Sequence, residues 1–193
     1  MPLVPLLSLS AILLAAAASA PDQVREIDAG LVACGTRHAL SSWDDPERGI
    51  GCARDFIVKE FTASAGKDVA GRVVADKFEA TSPRTRDQAA ALTSVYLILE
   101  GSDPVLKKTV FIISGHYDSM CSDVMDSTCD APGADDDASG TTVAIQAGRL
   151  LAGKKHRATI ILAALAGEEQ GLLGGKRLAV WTKDQGYTVG GVL

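Results

Sequence analysis

Near the start of the chain, apolar residues recur every three or four positions in two stretches. From Asp22 to Leu31, the residues Val24, Ile27 and Leu31 keep that spacing behind Pro21 and Asp22, which predicts a helix. From Gly51 to Thr62 the apolar positions Ile50, Ala53, Ile57 and Phe61 step in the same way, and Ala65-Gly66-Lys67 ends the run. Thr36 to Gly49, with Ser41-Ser42 and Asp44-Asp45-Pro46, reads as loop. The period then shortens. Val69 to Phe78 and the β-rich run Ser94 to Leu99 predict two strands. The polar stretch Glu79 to Ala91 between them suggests a long-looped antiparallel unit near a sheet edge.

Further on, the apolar runs become continuous. Thr109 to Ser114 and Thr159 to Leu165 have almost no polar alternation, as expected of strands buried on both faces of a parallel sheet. The first is followed by a predicted helix from Ser139, an N-cap candidate, to about Ala152, with Val143, Ala147 and Leu150 or Leu151 on its inner face. The second is followed by a predicted helix from Gly171 to Asp184, with Leu172, Leu178 and Trp181 inward. Gly186 ends it, and Tyr187-Thr188-Val189 starts another strand. This strand and helix alternation predicts an α/β fold: three layers, with a mostly parallel mixed sheet between helices.

The chain has 193 residues, of which 47% are hydrophobic and 22% charged, enough for one packed domain or a large part of one. Its net charge of −5, with no basic patch and interleaved aromatics, gives no reason to expect nucleic acid. Residues 1–20 stand apart. They carry no charged side chain, are apolar from Leu3 to Ala18 apart from Pro5, Ser8 and Ser10, and thin into a run of alanines. That pattern predicts a signal peptide and export, to a periplasm or the outside. The apolar core falls short of the ~20 residues of a spanning helix, so no membrane span is expected once the leader is removed. The expected layout is a leader at 1–20, a helical part at 21–66 and an α/β core at 67–193.

Four cysteines suit an oxidising compartment: Cys34, Cys52, Cys121 and Cys129. They allow three pairings, of which the local one, Cys34–Cys52 with Cys121–Cys129, is the expectation. A zinc–thiolate site is disfavoured, because no C-x-x-C spacing is present.

Three short motifs bring the chemistry: Ser-Gly-His-Tyr-Asp-Ser at 114–119, Pro-Gly-Ala-Asp-Asp-Asp-Ala-Ser-Gly at 132–140, and Ala-Gly-Glu-Glu-Gln-Gly-Leu at 166–172. Ligands of open α/β sheets bind beyond the carboxyl ends of the strands, and the first and third motifs follow predicted strands. The second precedes a crossover helix, so all three fall on one rim. His116 can ligate a metal while Asp118 orients its ring. Three adjacent carboxylates, Asp135 to Asp137, repel one another unless a cation is present. Glu168 and Glu169 diverge, so one can ligate while the other takes a proton from water. A mixed N and O donor set favours zinc, with cobalt or manganese as substitutes. No G-x-S-x-G elbow is present, which argues against a serine hydrolase.

In this order and context the three motifs resemble those of the co-catalytic two-zinc metallopeptidases, a family that includes secreted bacterial aminopeptidases, glutamate carboxypeptidase and glutaminyl cyclases. The resemblance runs from about Val69 onward and is strongest over 110–180; Arg48-Gly49-Ile50-Gly51 also resembles secreted bacterial members. It implies a zinc peptidase catalytic domain with two zinc ions. His116 would ligate one zinc, Asp136 would bridge both, and Glu169 would ligate the other. Glu168 would be the general base and Asp118 would orient His116. It also implies a cis peptide after Asp136. The implied activity is that of an aminopeptidase acting on peptides with a free N-terminus.

The family pattern has two more ligands, an Asp after the next strand and a later His. The only histidines here are His38, His116 and His156, and neither His38 nor His156 matches that position. The expectation is therefore an incomplete site in the N-terminal portion of a longer enzyme, truncated at the C-terminus. Two other readings stay open: an inactive chain serving as a binding or partner module, and a glutaminyl-cyclase-type transferase.

Overall fold

The computed structural model describes residues 20–66 and 71–193. The expected leader, residues 1–20, lies outside the described residues except for Ala20. Helix α1 spans Ala20–Val32 and α2 spans Ile50–Ala65. They are followed by β1 (Gly71–Ala80), β2 (Ala90–Leu99), β3 (Thr109–His116), α3 (Ser139–Leu151), β4 (Thr159–Leu165), α4 (Leu173–Asp184) and β5 (Thr188–Val192). The strands form one open sheet in the order β1-β2-β4-β3-β5. β3 pairs in parallel with both β4 and β5, whereas β2 pairs antiparallel with β1 and β4. The sheet is thus mixed, with its parallel half around β3, and the expected antiparallel unit at the other edge is β1–β2.

Alternation along β2 and β4 divides the core between the two faces. Val95, Leu97, Leu99, Leu162 and Ala164 pack with Ile27, Leu31, Ile50, Ile57, Phe61, Ala144 and Ile145, so α1, α2 and α3 cover one face. Tyr96, Ile98, Ile161 and Ala163 pack with Leu178 and Trp181 of α4 on the other. Helices therefore cover both sides of the sheet, which explains why β3 and β4 read as unbroken apolar runs. Among the described residues, no helix is long and apolar enough to cross a membrane.

Two helix faces differ from expectation. In α3, Val143 and Leu150 are each 58% exposed, and the buried face is Thr141, Thr142, Ala144, Ile145 and Gly148. Small residues face the sheet because the helix lies close to it: a Cβ on Gly148 would meet Leu97 Cδ2 at 3.0 Å. In α4, Leu172 does not point inward. It precedes the helix with φ 60° and is 55% exposed, while Leu173 takes the buried place. The turn before it consumes those residues, with the amides of Gly171 and Leu172 both donating to Glu168 O.

Two disulfides, Cys34–Cys52 and Cys121–Cys129, match the local pairing. The first ties the end of α1 to α2. The second closes the loop between β3 and the Asp triplet.

Candidate metal centre

The ladder between β3 and β4 brings their carboxyl ends level, with His116 opposite Leu165. The loops that leave them are joined by Asp118. Its fully buried carboxylate accepts the amides of Gly167 (2.8 Å) and Glu168 (3.1 Å) on Oδ1 and that of Glu169 (3.0 Å) on Oδ2. Burial pushes the Asp118 pKa up, against the pull of His116 and of those amide bonds. Asp118 therefore shapes the Glu168-Glu169 loop directly. Its carboxylate is 3.7 Å from His116 Nδ1, while its backbone carbonyl lies at 3.1 Å and is the nearer partner of the ring.

That carbonyl fixes the imidazole. An acceptor at Nδ1 requires the proton there, which in the neutral ring leaves the Nε2 lone pair facing outward. Nε2 points at two carboxylates: Asp136 Oδ1 at 3.0 Å and Glu168 Oε2 at 3.9 Å. A bare lone pair against carboxylate oxygens is repulsive, and a proton or a cation between them removes the repulsion. The His116 pKa is raised: burial, the largest influence, opposes the charge, but Asp118, Asp137 and Glu168 together outweigh it. Glu169 is buried at the same place, and its pKa is raised first by burial and then by the charges of Asp136 and Asp118. One imidazole among crowded carboxylates, with no thiolate, is a donor set that suits zinc.

Asp136 reaches His116 from the wide turn Ala134–Ala138, where the Asp136–Asp137 peptide is cis, as the resemblance implies. Its side chain is 77% exposed, toward solvent rather than the core. The neighbouring Asp137 has a different task. Its Oδ2 accepts the His116 amide (3.0 Å) and its Oδ1 the Gly140 amide (2.7 Å), so it fastens the triplet to the end of β3 and to the start of α3. Ser139, expected as N-cap, is instead the first residue of α3 and donates its hydroxyl to Asp135 O; the N-cap position is Ala138, and Asp137 before it accepts the Gly140 amide.

Three features were not visible in the residue pattern. Asp137 lay among three identical side chains, and only the turn separates their directions. Arg84 donates to Glu169 O at 2.8 Å and Ser82 to Gln170 O at 2.6 Å, so the β1–β2 connection braces the glutamate loop. Arg37, between the expected loop residues Thr36 and His38, is buried against the first two motifs. His38 is buried too, with Nε2 2.9 Å from Val124 O, and His156 lies at Leu151 O, so neither joins the centre.

Among the described residues, the one trio of His, Cys, Asp or Glu donors lying within 4.8 Å of one another is Cys121, Asp126 and Cys129. It is no rival. Its sulfurs are consumed in a disulfide, and Asp126 Oδ1 already accepts the amides of Thr128 and Cys129. The His116 group is spread more widely than one ion alone requires. The groove of about 600 Å³ between Phe111, Ile113, Leu151, Ile160 and Val192 also lies elsewhere, by the segment leading into β4, and is lined by no Asp or Glu side chain.

The chain is similar in sequence to proteins described as probable zinc metalloproteases. The chain is 44% identical over 165 residues to a probable zinc metalloprotease of Leptosphaeria maculans, covering 84% of this chain and 38% of that protein. It is 41% identical over 184 residues to a probable zinc metalloprotease of Pyricularia oryzae, covering 90% and 34%. The chain thus spans just over a third of the length of the curated relatives it matches. Among solved structures, Fimbriiglobus ruber glutaminyl cyclase superposes with a TM-score of 0.67 at 17% identity, over 89% of this chain and 59% of that one. The Legionella pneumophila aminopeptidase LapA gives 0.63 at 18% identity, over 89% and 41%. These two likenesses bear on the fold alone. The model of peptidase family M28 matches residues 94–193, from the middle of β2 through all three motifs, and the chain belongs to that family.

Proposed function

We propose that this chain carries the zinc-binding rim of an exported aminopeptidase and takes peptides with a free N-terminus. One observation carries the reading: a single imidazole nitrogen, His116 Nε2, faces Asp136 at 3.0 Å and Glu168 at 3.9 Å. Zinc, when bound, would supply a Lewis acid that polarises the peptide carbonyl and lowers the pKa of a water to about 7. His116, Asp136 and Glu169 are the groups that would hold a pair of such ions. His116 presents Nε2 because Nδ1 is held at the Asp118 carbonyl. The Glu168 amide and carbonyl shape the loop, and its partly exposed carboxylate is the group that would accept a proton from the attacking water and pass it to the leaving amine. Zinc prefers four ligands, so three side chains would not fill two such sites, and further groups would be needed to complete them. Export is supported by the charge-free leader pattern and by two disulfides.

The test is direct. The purified chain is assayed for zinc content and for hydrolysis of an aminoacyl-anilide, alongside the same substrate with an acetylated N-terminus. Bound zinc with chelator-sensitive cleavage of the free-amine substrate alone supports the proposal. Equal cleavage of the blocked substrate refutes the aminopeptidase reading, and no zinc at all refutes the metal centre in this chain.

A further inference from the structure

Arg37 is completely buried, yet it lies outside all three motifs. Its side chain bonds only to backbone carbonyls. Nε donates to Tyr117 O at 2.7 Å, Nη2 to Gly133 O at 2.9 Å, and Nη1 to Pro132 O. Tyr117 is the residue after His116. Pro132 and Gly133 lead into the turn that presents Asp136. One guanidinium therefore joins the two loops that supply the closest donor pair of the centre. Gly133, at φ 46°, has no room for a side chain there: a Cβ would stand 2.9 Å from Arg37 Nη2 and 2.5 Å from Asp136 O.

The backbone around Arg37 repeats the link. Its amide donates to Ser119 Oγ (3.1 Å), its carbonyl accepts the Ser119 amide (3.3 Å), and Ser119 Oγ donates to Ala131 O (2.7 Å). The Ala131 amide donates in turn to Gly35 O at 2.9 Å. The Cys34–Cys52 bridge anchors this segment to α2. Burial pulls the Arg37 pKa down, while the carboxylates of Asp118, Asp28 and Asp137 push it back. Arginine keeps its charge in proteins, so a buried cation persists beside the acidic groups. Its planar fork meets three carbonyls at once, which the compact ammonium of lysine does not match.

We propose that Arg37 is a positioning residue that sets the separation of His116 and Asp136, and through it the affinity of the centre for zinc. The proposal rests on the metal-centre reading above. Its test compares the full chain with Arg37→Met, Arg37→Lys and a control, Arg177→Met, which breaks the Asp76 ion pair between α4 and β1. Zinc affinity is measured by competition with a chromophoric chelator. Amide exchange is followed at His116 and Gly140, whose N–H groups both donate to Asp137. Arg37→Met is expected to weaken zinc binding by ~10–100-fold, the usual effect of losing a group that supports metal ligands. It should also speed exchange at both amides, and Arg37→Lys should recover part of each. Arg177→Met should lower the melting temperature and leave zinc affinity and both amides unchanged. A folded Arg37→Met with wild-type zinc affinity overturns the proposal. If that variant does not fold, wild-type affinity in Arg37→Lys overturns it. A wild-type chain that binds no zinc refutes the metal-centre reading instead; exchange at the two amides then decides whether Arg37 positions the loops, and unchanged exchange would overturn that as well.

Discussion

The Nε2 atom of His116 lies 3.0 Å from Oδ1 of Asp136, although the two residues leave different elements, the end of β3 and the turn before α3. The fold holds this pair together against the repulsion of a neutral ring and a carboxylate, and a cation turns that cost into binding energy. Free zinc at about 100 times its dissociation constant should stabilise the chain by ~2.7 kcal/mol through linkage alone. Asp136→Ala and His116→Ala should each lower zinc affinity by at least ~100-fold, more than the loss of a supporting group. Thermal melts with and without zinc check this, since the zinc-induced shift should disappear in both variants while the melt without zinc survives.

In the proposed centre, Glu168 would separate the roles of base and ligand. Its amide bonds to Asp118 and keeps the loop in shape whatever its side chain is. Glu168→Gln should therefore leave zinc binding within a few-fold of wild type and cut aminoacyl-anilide hydrolysis by ~10²–10⁴-fold, the usual contribution of a general base. The decisive comparison is zinc affinity against kcat in the same preparation. If both fall together, Glu168 is a ligand and the base lies elsewhere.

His116, Glu168 and Glu169 could be placed on one rim from the chain because they stand at the ends of buried strands whose apolar runs are unmistakable, and Asp136 because its turn leads into the crossover helix; β4 has the expected ends, Thr159 and Leu165. The α3 face was hidden for the opposite reason. Apolar periodicity marks Val143 and Leu150, but close approach to the sheet selects the smaller Ala144 and Gly148. Asp137 could not be told from Asp135 by type, since backbone direction within one turn sets its bonds. Arg37 left no signal, because its partners are carbonyl oxygens, which every residue has.

Acid should expose a contribution far from the centre. Asp103, in the turn before β3, accepts the amides of Val105 (2.9 Å) and Leu106 (3.0 Å) and pairs with Arg157 (2.9 Å) in the turn before β4. The Leu106 amide, then Arg157 and the Val105 amide, hold its pKa down to about 2. The folded value lies below the unfolded value of about 3.9, so its stabilisation is complete above about pH 4 and fades as pH falls toward 2. Asp103→Asn keeps an acceptor for the amides and removes the charge. The gap in melting temperature between wild type and Asp103→Asn should be constant above about pH 5 and close by about pH 2. A gap that persists at the acid end would mean that the side chain acts through its shape. Zinc affinity should not change, because this latch lies at the opposite ends of the strands.

A steric demand that bears directly on the site lies one residue before His116. A Cβ on Gly115 would fall 2.3 Å from Gly140 C and 2.3 Å from Thr141 N, both backbone atoms at the start of α3. Nothing flexible can yield there, so Gly115→Ala must push α3 away from β3. Overpacking of this kind costs ~1–3 kcal/mol, which for a chain of this size corresponds to a fall of roughly 2–12 °C in melting temperature. The displacement also acts on the site, because the Gly140 and His116 amides share the Asp137 carboxylate. Zinc affinity should therefore fall along with stability. Gly175→Ala is the control: at this exposed position in the first turn of α4 a Cβ meets nothing within 4 Å, so the same change should not destabilise and should gain at most ~0.5–1 kcal/mol. If Gly115→Ala melts like wild type and binds zinc normally, the contact between β3 and α3 has slack, and the spacing of His116 and Asp136 is set elsewhere.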